Sequence, residues 1–211
     1  MNEAQASPNP DFIYLASRSP RRQELLRQIG INFRLLAPGD DEDAESLERV
    51  LPGEDPGKYV LRVTLAKAGA ARERRSRLAL EPAPILVADT TVAVGGTILG
   101  KPADAADALR MLTMLSGRTH RVITAVAVLR GSSRTESLVN VSRVSFARMS
   151  RAELEAYIAT GEPMDKAGGY AIQGLAAVFI AEVRGSYSGV MGLPLHETAQ
   201  LIRRFPAETV A

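Results

Sequence analysis

A chain of 211 residues with 45% apolar content can bury the core of one medium domain, or of two lobes that share a core. Its formal net charge of +2 argues against general polyanion binding, while a sequence pI near 9.1 leaves room for a local basic site. The absence of cysteine excludes disulfides, thiolate nucleophiles and Cys-ligated zinc, and His120 and His196 are too few for a His-rich centre, so any metal would be a hard cation held by carboxylates.

The first eleven residues are polar, carry two prolines and lack the apolar core of a signal peptide. No apolar run approaches the roughly 18 residues of a membrane span. Residues 1–11 therefore read as a disordered tail on a soluble cytoplasmic protein, and 12–211 as a single domain. Phe12 to Ala16 read as a short apolar strand. Pro20 suits the first turn of the following helix, Arg21 to Ile29, with Ser17 or Ser19 as its cap. Phe33 to Leu36 look like a second strand, and residues 40–48 form a loop with six acids and no base. Pro52, Gly53, Pro56 and Gly57 mark a loop before a helix from Lys58 to Arg77.

Ile85 to Ala88 read as a buried strand, and Thr91 to Leu99 as a hairpin turning at Gly95-Gly96. Asp104 can cap a helix in which Leu109, Leu112 and Leu115 recur at helical spacing. Val122 to Leu129 and Leu138 to Phe146 predict a long antiparallel ribbon joined at Gly131-Ser-Ser133. Ser150 and Glu153 form a capping box for a helix ending near Thr160-Gly161. A glycine-rich stretch, 165–174, leads into a predicted strand from Ala176 to Glu182, and Pro194 opens the last helix. The class is mixed α/β, because strands alternate with helices while the ribbon is antiparallel.

Three clusters point to chemistry. The first is the bend after the first strand, Ser17-Arg-Ser-Pro-Arg-Arg22. Helix amides there carry partial positive charge, and Arg18, Arg21 and Arg22 add forked donors that fit phosphate oxygens. The second is Asp89, directly after the buried strand, with Lys101 before Pro102. A carboxylate at a strand end faces the cleft edge of an α/β fold, where it can accept a proton from water or ligate Mg²⁺. The third is Asp165 to Gly174, whose glycines allow close approach to a flat ligand and whose Gln173 offers a donor and an acceptor to a base edge. Neither histidine sits in a convincing catalytic position, and no G-x-G-x-x-G, P-loop or Ser-His-Asp pattern is present.

Together with Tyr59-Val-Leu-Arg62, Lys67-Ala68, Ala88-Asp-Thr90, Leu115-Ser-Gly117, Asp165-Lys-Ala-Gly168, Ile172-Gln-Gly174 and Gly192-Leu-Pro194, these clusters make the chain resemble the Maf family of nucleoside triphosphate pyrophosphatases from Ile13 to about Phe205. The resemblance implies an ITPase-like fold: an elongated mixed sheet flanked by helices in two lobes around a cleft. It implies a catalytic domain that hydrolyses a nucleoside triphosphate to the monophosphate and pyrophosphate, with a divalent cation, Mg²⁺ or Mn²⁺. It further implies that Asp89 is the proton acceptor and a metal ligand, that Glu42 is the second metal-site acid, and that Ser19, Arg21, Arg22, Lys67 and Lys101 bind phosphate. Arg21, Thr90 and Gln173 resemble the specificity residues of the branch acting on dTTP and UTP. The sister branch, acting on N7-methylated GTP, tends toward Trp, Gln and Glu there. Homodimers are common among such proteins. Two alternatives remain open: another modified nucleotide as substrate, and a non-catalytic regulator of septum formation. Stable nucleic-acid binding is disfavoured by the near-neutral charge and the lack of a groove-reading element.

Overall fold

The computed structural model describes residues 10–39, 42, 46–131 and 134–205. Nearly all of the expected tail, most of the acidic loop, and Ser132 and Ser133 of the expected turn lie outside the described residues. Seven strands form one sheet in the order β2-β1-β3-β5-β6-β7, with β4 paired to β3. Strands β1 (Ile13–Leu15), β2 (Phe33–Leu35) and the start of β3 (Ile85–Val94) are parallel. The pairs of β3 with β4 (Thr97–Leu99) and β5 (Thr119–Arg130), and of β6 (Arg134–Phe146) with β5 and β7 (Ile180–Arg184), are antiparallel. No helix among the described residues is long and apolar enough to cross a membrane.

The sequence pattern places the helices. Helix α1 (Pro20–Gln28) starts at a proline whose missing N–H costs nothing at that position, and the Ser19 hydroxyl accepts from Arg22 N at 3.4 Å as its cap. Asp55 caps α2 (Pro56–Arg77), Asp104 caps α3 (Ala105–Leu115), and Ser150 with Glu153 forms the capping box of α4 (Arg151–Ala159). Helix α2 lies on one face of the sheet through Val60, Val63, Ala68 and Ala71, against Val87, Ala125 and Ala127. On the other face, Leu25 and Leu26 of α1 and Leu201 and Ile202 of α6 (Leu195–Arg203) cover Leu15, Leu86, Ala88 and Val126. At the far end of the sheet α3 and α4 build a further core with Val92, Val94, Val144 and Phe146.

Strand β3 thus serves several cores. Leu86 and Ala88 pack under α1 and α6, Ile85 and Val87 on the α2 face, and Val92 and Val94 in the far core, while Asp89 and Thr90 between these stretches are only partly buried. Its pairing partners explain the gap. β5 follows one edge from Ile85 to Ala93, while the other edge is taken by β1 at Ile85 and Leu86 and by β4 from Val92 onward. The stretch between has no strand beside it, and this notch is the root of the cleft.

Two expectations need correction, and one element was not expected. Asp89 does not end a strand: β3 runs on through Thr90 and Thr91, because those β-branched residues pair with Thr124 and Ile123 of β5. The predicted strand at Ala176 begins later, at Ile180, since Glu162 accepts from the amides of Leu175 (3.0 Å) and Ala176 (3.4 Å) and holds Leu175–Phe179 as a 3₁₀ turn. A short helix, α5 (Tyr187–Met191), was hidden by Gly189 and by Gly192 at its end; Ser186 caps it by accepting from Gly189 N at 2.9 Å.

His120 is a core residue, 1% exposed, with Nε2 at 2.8 Å from the Tyr170 hydroxyl and Nδ1 without a partner. Burial pushes its imidazole down from 6.5 to about 4. Folding therefore favours the neutral ring. The stability it contributes is complete above pH 6.5 and is lost as pH falls through about 4. In urea titrations between pH 7 and pH 4.5, wild type should lose about 2 kcal/mol more than His120→Gln, since each pH unit in this window is worth ~1.4 kcal/mol. Parallel losses in both proteins would remove His120 from the pH response.

Candidate active site

A cleft of about 810 Å³ opens at the notch. Every described residue that the sequence singled out lines it: Ser19, Arg21, Arg22, Glu42, Lys67, Asp89, Thr90, Lys101 and Gln173. The bend after β1 and the mid-strand acid of β3, separated by some seventy residues of chain, therefore face one space.

The pleat of β3 assigns the partners of its two central residues, because neighbouring side chains leave opposite faces of a strand. Asp89 points to the α2 side, where its Oδ1 lies 2.6 Å from Lys67 Nζ. The same Nζ lies 2.6 Å from Oε1 of Glu48. Thr90 points to the α1 side and accepts from Arg22 Nη2 at 3.3 Å. The phenol of Tyr59 donates to the Glu48 carbonyl at 2.9 Å. Burial first, then the charges of Asp89 and Glu48, push that phenol up to about 12, so Tyr59 serves as a neutral donor.

Arg22 is held at three points. Nε donates to the Gly192 carbonyl at 2.9 Å, Nη1 to the Ser17 hydroxyl at 3.3 Å and Nη2 to the Thr90 hydroxyl at 3.3 Å. A guanidinium carries five N–H donors. One therefore remains on each terminal nitrogen, a fork suited to two phosphate oxygens. Burial lowers the pKa of Arg22, the Asp89 charge opposes that fall, and the Arg21 charge adds to it. Gly192 allows this approach. Its φ of +116° disfavours a side chain, although a Cβ there would meet Arg22 Nε at 3.5 Å and Thr90 Oγ1 at 3.6 Å in ordinary contact.

Arg21 and Lys101 make no hydrogen bond or ion pair among the described residues, so both can turn to an anion. Arg18 is engaged elsewhere, donating to the Pro38 carbonyl at 2.8 and 3.2 Å. Gln173 is exposed into the cleft from the glycine-rich segment. Gly168 lets that segment pack close: its φ is +73°, and a Cβ there would lie 2.9 Å from Val92.

Glu42 sits in the same cleft but faces cations. Arg74 and Arg77 both hydrogen-bond its carboxylate, and the Arg74 bond holds it below the usual carboxylate range. Among the described residues no three acids or histidines gather as a metal cage. Mg²⁺ commonly needs only one or two carboxylates when substrate phosphates complete its shell, so the donor set is compatible with a cation bound alongside substrate. Glu48, which shares Lys67 with Asp89, is the acid most directly coupled to it. Sequence reasoning did not separate Glu48 from its acidic neighbours, nor did it find Tyr59 or Ser17 as partners within the site. The helical spacing of Lys67 and Arg74, two turns apart on α2, was the available signal for a cationic face.

The family model described as Maf-like protein matches residues 12–205. The chain belongs to the Maf family. Curated relatives of this Maf protein include the dTTP/UTP pyrophosphatase of a Polaromonas species, 60% identical over 196 residues that make up 93% of this chain and 96% of the relative. The dTTP/UTP pyrophosphatase of Burkholderia pseudomallei is 58% identical over 94% of this chain and 95% of its own. Among solved structures, the Staphylococcus aureus Ham1 protein covers 92% of this Maf chain and 97% of its own at 12% identity and a TM-score of 0.47, a likeness too loose to bear on the site.

Proposed function

We propose that this chain is a nucleoside triphosphate pyrophosphatase, hydrolysing dTTP and UTP to the monophosphate and pyrophosphate by attack of water on the α-phosphorus. The observation that carries this reading is the convergence of Arg21, Arg22, Lys67 and Lys101, from three separate segments, on the cleft that holds Asp89. It is supported by relatives named dTTP/UTP pyrophosphatases that are 58% and 60% identical over nearly the whole chain.

A triphosphate brings about four negative charges, which must be offset before an oxygen nucleophile can approach. In this reading Arg21, the free fork of Arg22, Lys101 and the amide end of α1 at Ser19 hold the phosphates. Asp89 accepts the proton of the attacking water, and Lys67 orients that carboxylate through its 2.6 Å contact. A divalent cation, Mg²⁺ or Mn²⁺, held by Asp89 with Glu48 or Glu42 and the substrate phosphates, would supply charge neutralisation and a lower pKa for the water.

Gln173 pairs with the base. Its amide can donate to a carbonyl of thymine or uracil while its oxygen accepts from the ring N–H. Gln173→Glu removes the donor and sets a negative charge against the base carbonyl. It should lower kcat/KM for dTTP and UTP at least about tenfold, by the loss of a hydrogen bond and the added repulsion. Unchanged ratios among nucleotide substrates would take the residue out of base selection.

The activity itself is tested with a panel of dTTP, UTP, dCTP, dATP, dGTP and N7-methyl-GTP, with Mg²⁺ or Mn²⁺, scored for pyrophosphate and for orthophosphate. Pyrophosphate from dTTP and UTP, well above the rest, is expected. Preference for N7-methyl-GTP, or orthophosphate as the product, would refute the proposal.

A further inference from the structure

A ring of hydrogen bonds runs behind the cleft wall, and its buried member has no place in the reaction described above. Thr124 of β5 is 1% exposed and lies opposite Thr90 in the β3–β5 register. Its hydroxyl donates to the Gly189 carbonyl at 2.8 Å. A hydroxyl has one proton, so the 2.9 Å contact between Thr90 and Thr124 has a fixed direction: Thr90 donates and Thr124 accepts. The Thr90 oxygen then offers only lone pairs, one of which takes Arg22 Nη2 at 3.3 Å. The ring closes on the far side, where the Gly189 carbonyl also accepts from Gly192 N at 3.1 Å and the Gly192 carbonyl accepts from Arg22 Nε at 2.9 Å.

We infer that Thr124 is a positioning residue for the phosphate-binding fork of Arg22, acting through Thr90. By taking the Thr90 proton it fixes which way the Thr90 hydroxyl faces, and so leaves an acceptor aimed at the guanidinium. Without it the Thr90 proton is uncommitted and can turn toward Arg22, where donor would meet donor. Thr90 presents no donor to the cleft, so its influence on substrate runs through Arg22 and through a lone pair. The inference rests on the pyrophosphatase reading above for the identity of the anion, although the ring itself does not depend on it.

The test compares wild type with Thr124→Val, Thr124→Ala and Thr124→Ser in two assays: turnover of dTTP, and calorimetric binding of inorganic tripolyphosphate. Arg22 grips phosphate in the ground state as well as the transition state, so its loosening appears in KM and Kd and spares kcat. Val and Ala should raise both KM and Kd about five- to tenfold, with kcat within about twofold, as expected for one lost hydrogen bond. Ser, which keeps the hydroxyl, should restore wild-type values. A merely structural threonine would lower thermal stability in Val and Ala with KM and Kd unmoved, and that outcome overturns the inference, as does a Ser variant as weak as Val. If Thr124→Val fails to fold, because its methyl would press on the Gly189 carbonyl, Thr124→Ala adds no atoms and decides the matter. A wild type that binds tripolyphosphate but does not turn over dTTP would refute the enzymatic reading and leave the binding comparison to decide Thr124. A wild type that binds no tripolyphosphate overturns both.

Discussion

Asp89→Asn is expected to lower kcat for dTTP by about 10²–10³-fold, within the ~10²–10⁴-fold that a positioned proton acceptor contributes, with the fold intact. Asparagine keeps the size of the side chain and can still accept from Lys67. It cannot take a proton from water. The change also leaves no stranded charge, since Lys67 keeps Glu48 at 2.6 Å. The backbone of β3 pairs with β5 from Ile85 to Ala93 whatever side chain stands at 89. Steady-state kinetics beside a thermal melt separate the two effects. A variant that melts like wild type yet retains more than a tenth of its kcat would remove Asp89 from the mechanism.

Arg22→Lys, which preserves charge, should cost about 10²-fold in kcat/KM. The reason is geometry. Gly192, Ser17 and Thr90 fix three donors of the guanidinium and leave two pointing at the cleft. A lysine is a single point charge with no planar fork, and it cannot satisfy three wall acceptors while presenting two parallel bonds to phosphate. Losing two charge-assisted hydrogen bonds, each worth roughly 1.5–3 kcal/mol, more than covers two powers of ten. Arg22→Ala should be at least as damaging. If Arg22→Lys stays within threefold of wild type, bulk positive charge suffices and the pinned fork has no role.

How much of this was legible beforehand differs by residue. The bend at Ser17–Arg22 was readable because its signals are local: an apolar triplet, a cap, and proline at the first helical turn. The identity of Asp89 was readable too, but its mid-strand placement was not. Asp-Thr-Thr reads equally as the start of a turn, and the notch beside it arises from where β1 and β4 happen to pair on β3, which no window of sequence contains. The partners of Glu42 and Glu48 escaped for a related reason. Both acids sit in one polar run, yet tertiary packing sends Glu42 to Arg74 and Arg77 and Glu48 to Lys67. The late start of β7 turns on a single long-range carboxylate, Glu162, whose amide partners lie 13 and 14 residues away.

In the proposed reaction the cleft presents the α-phosphorus, and no other, to water oriented by Asp89. Hydrolysis of dTTP in ¹⁸O-labelled water, with both products analysed by mass spectrometry, shows which phosphorus is attacked. One labelled oxygen is expected in the thymidine monophosphate and none in the pyrophosphate. Label in the pyrophosphate would mean attack at the β-phosphorus, and would contradict the arrangement of Asp89 and Arg22 proposed for this site.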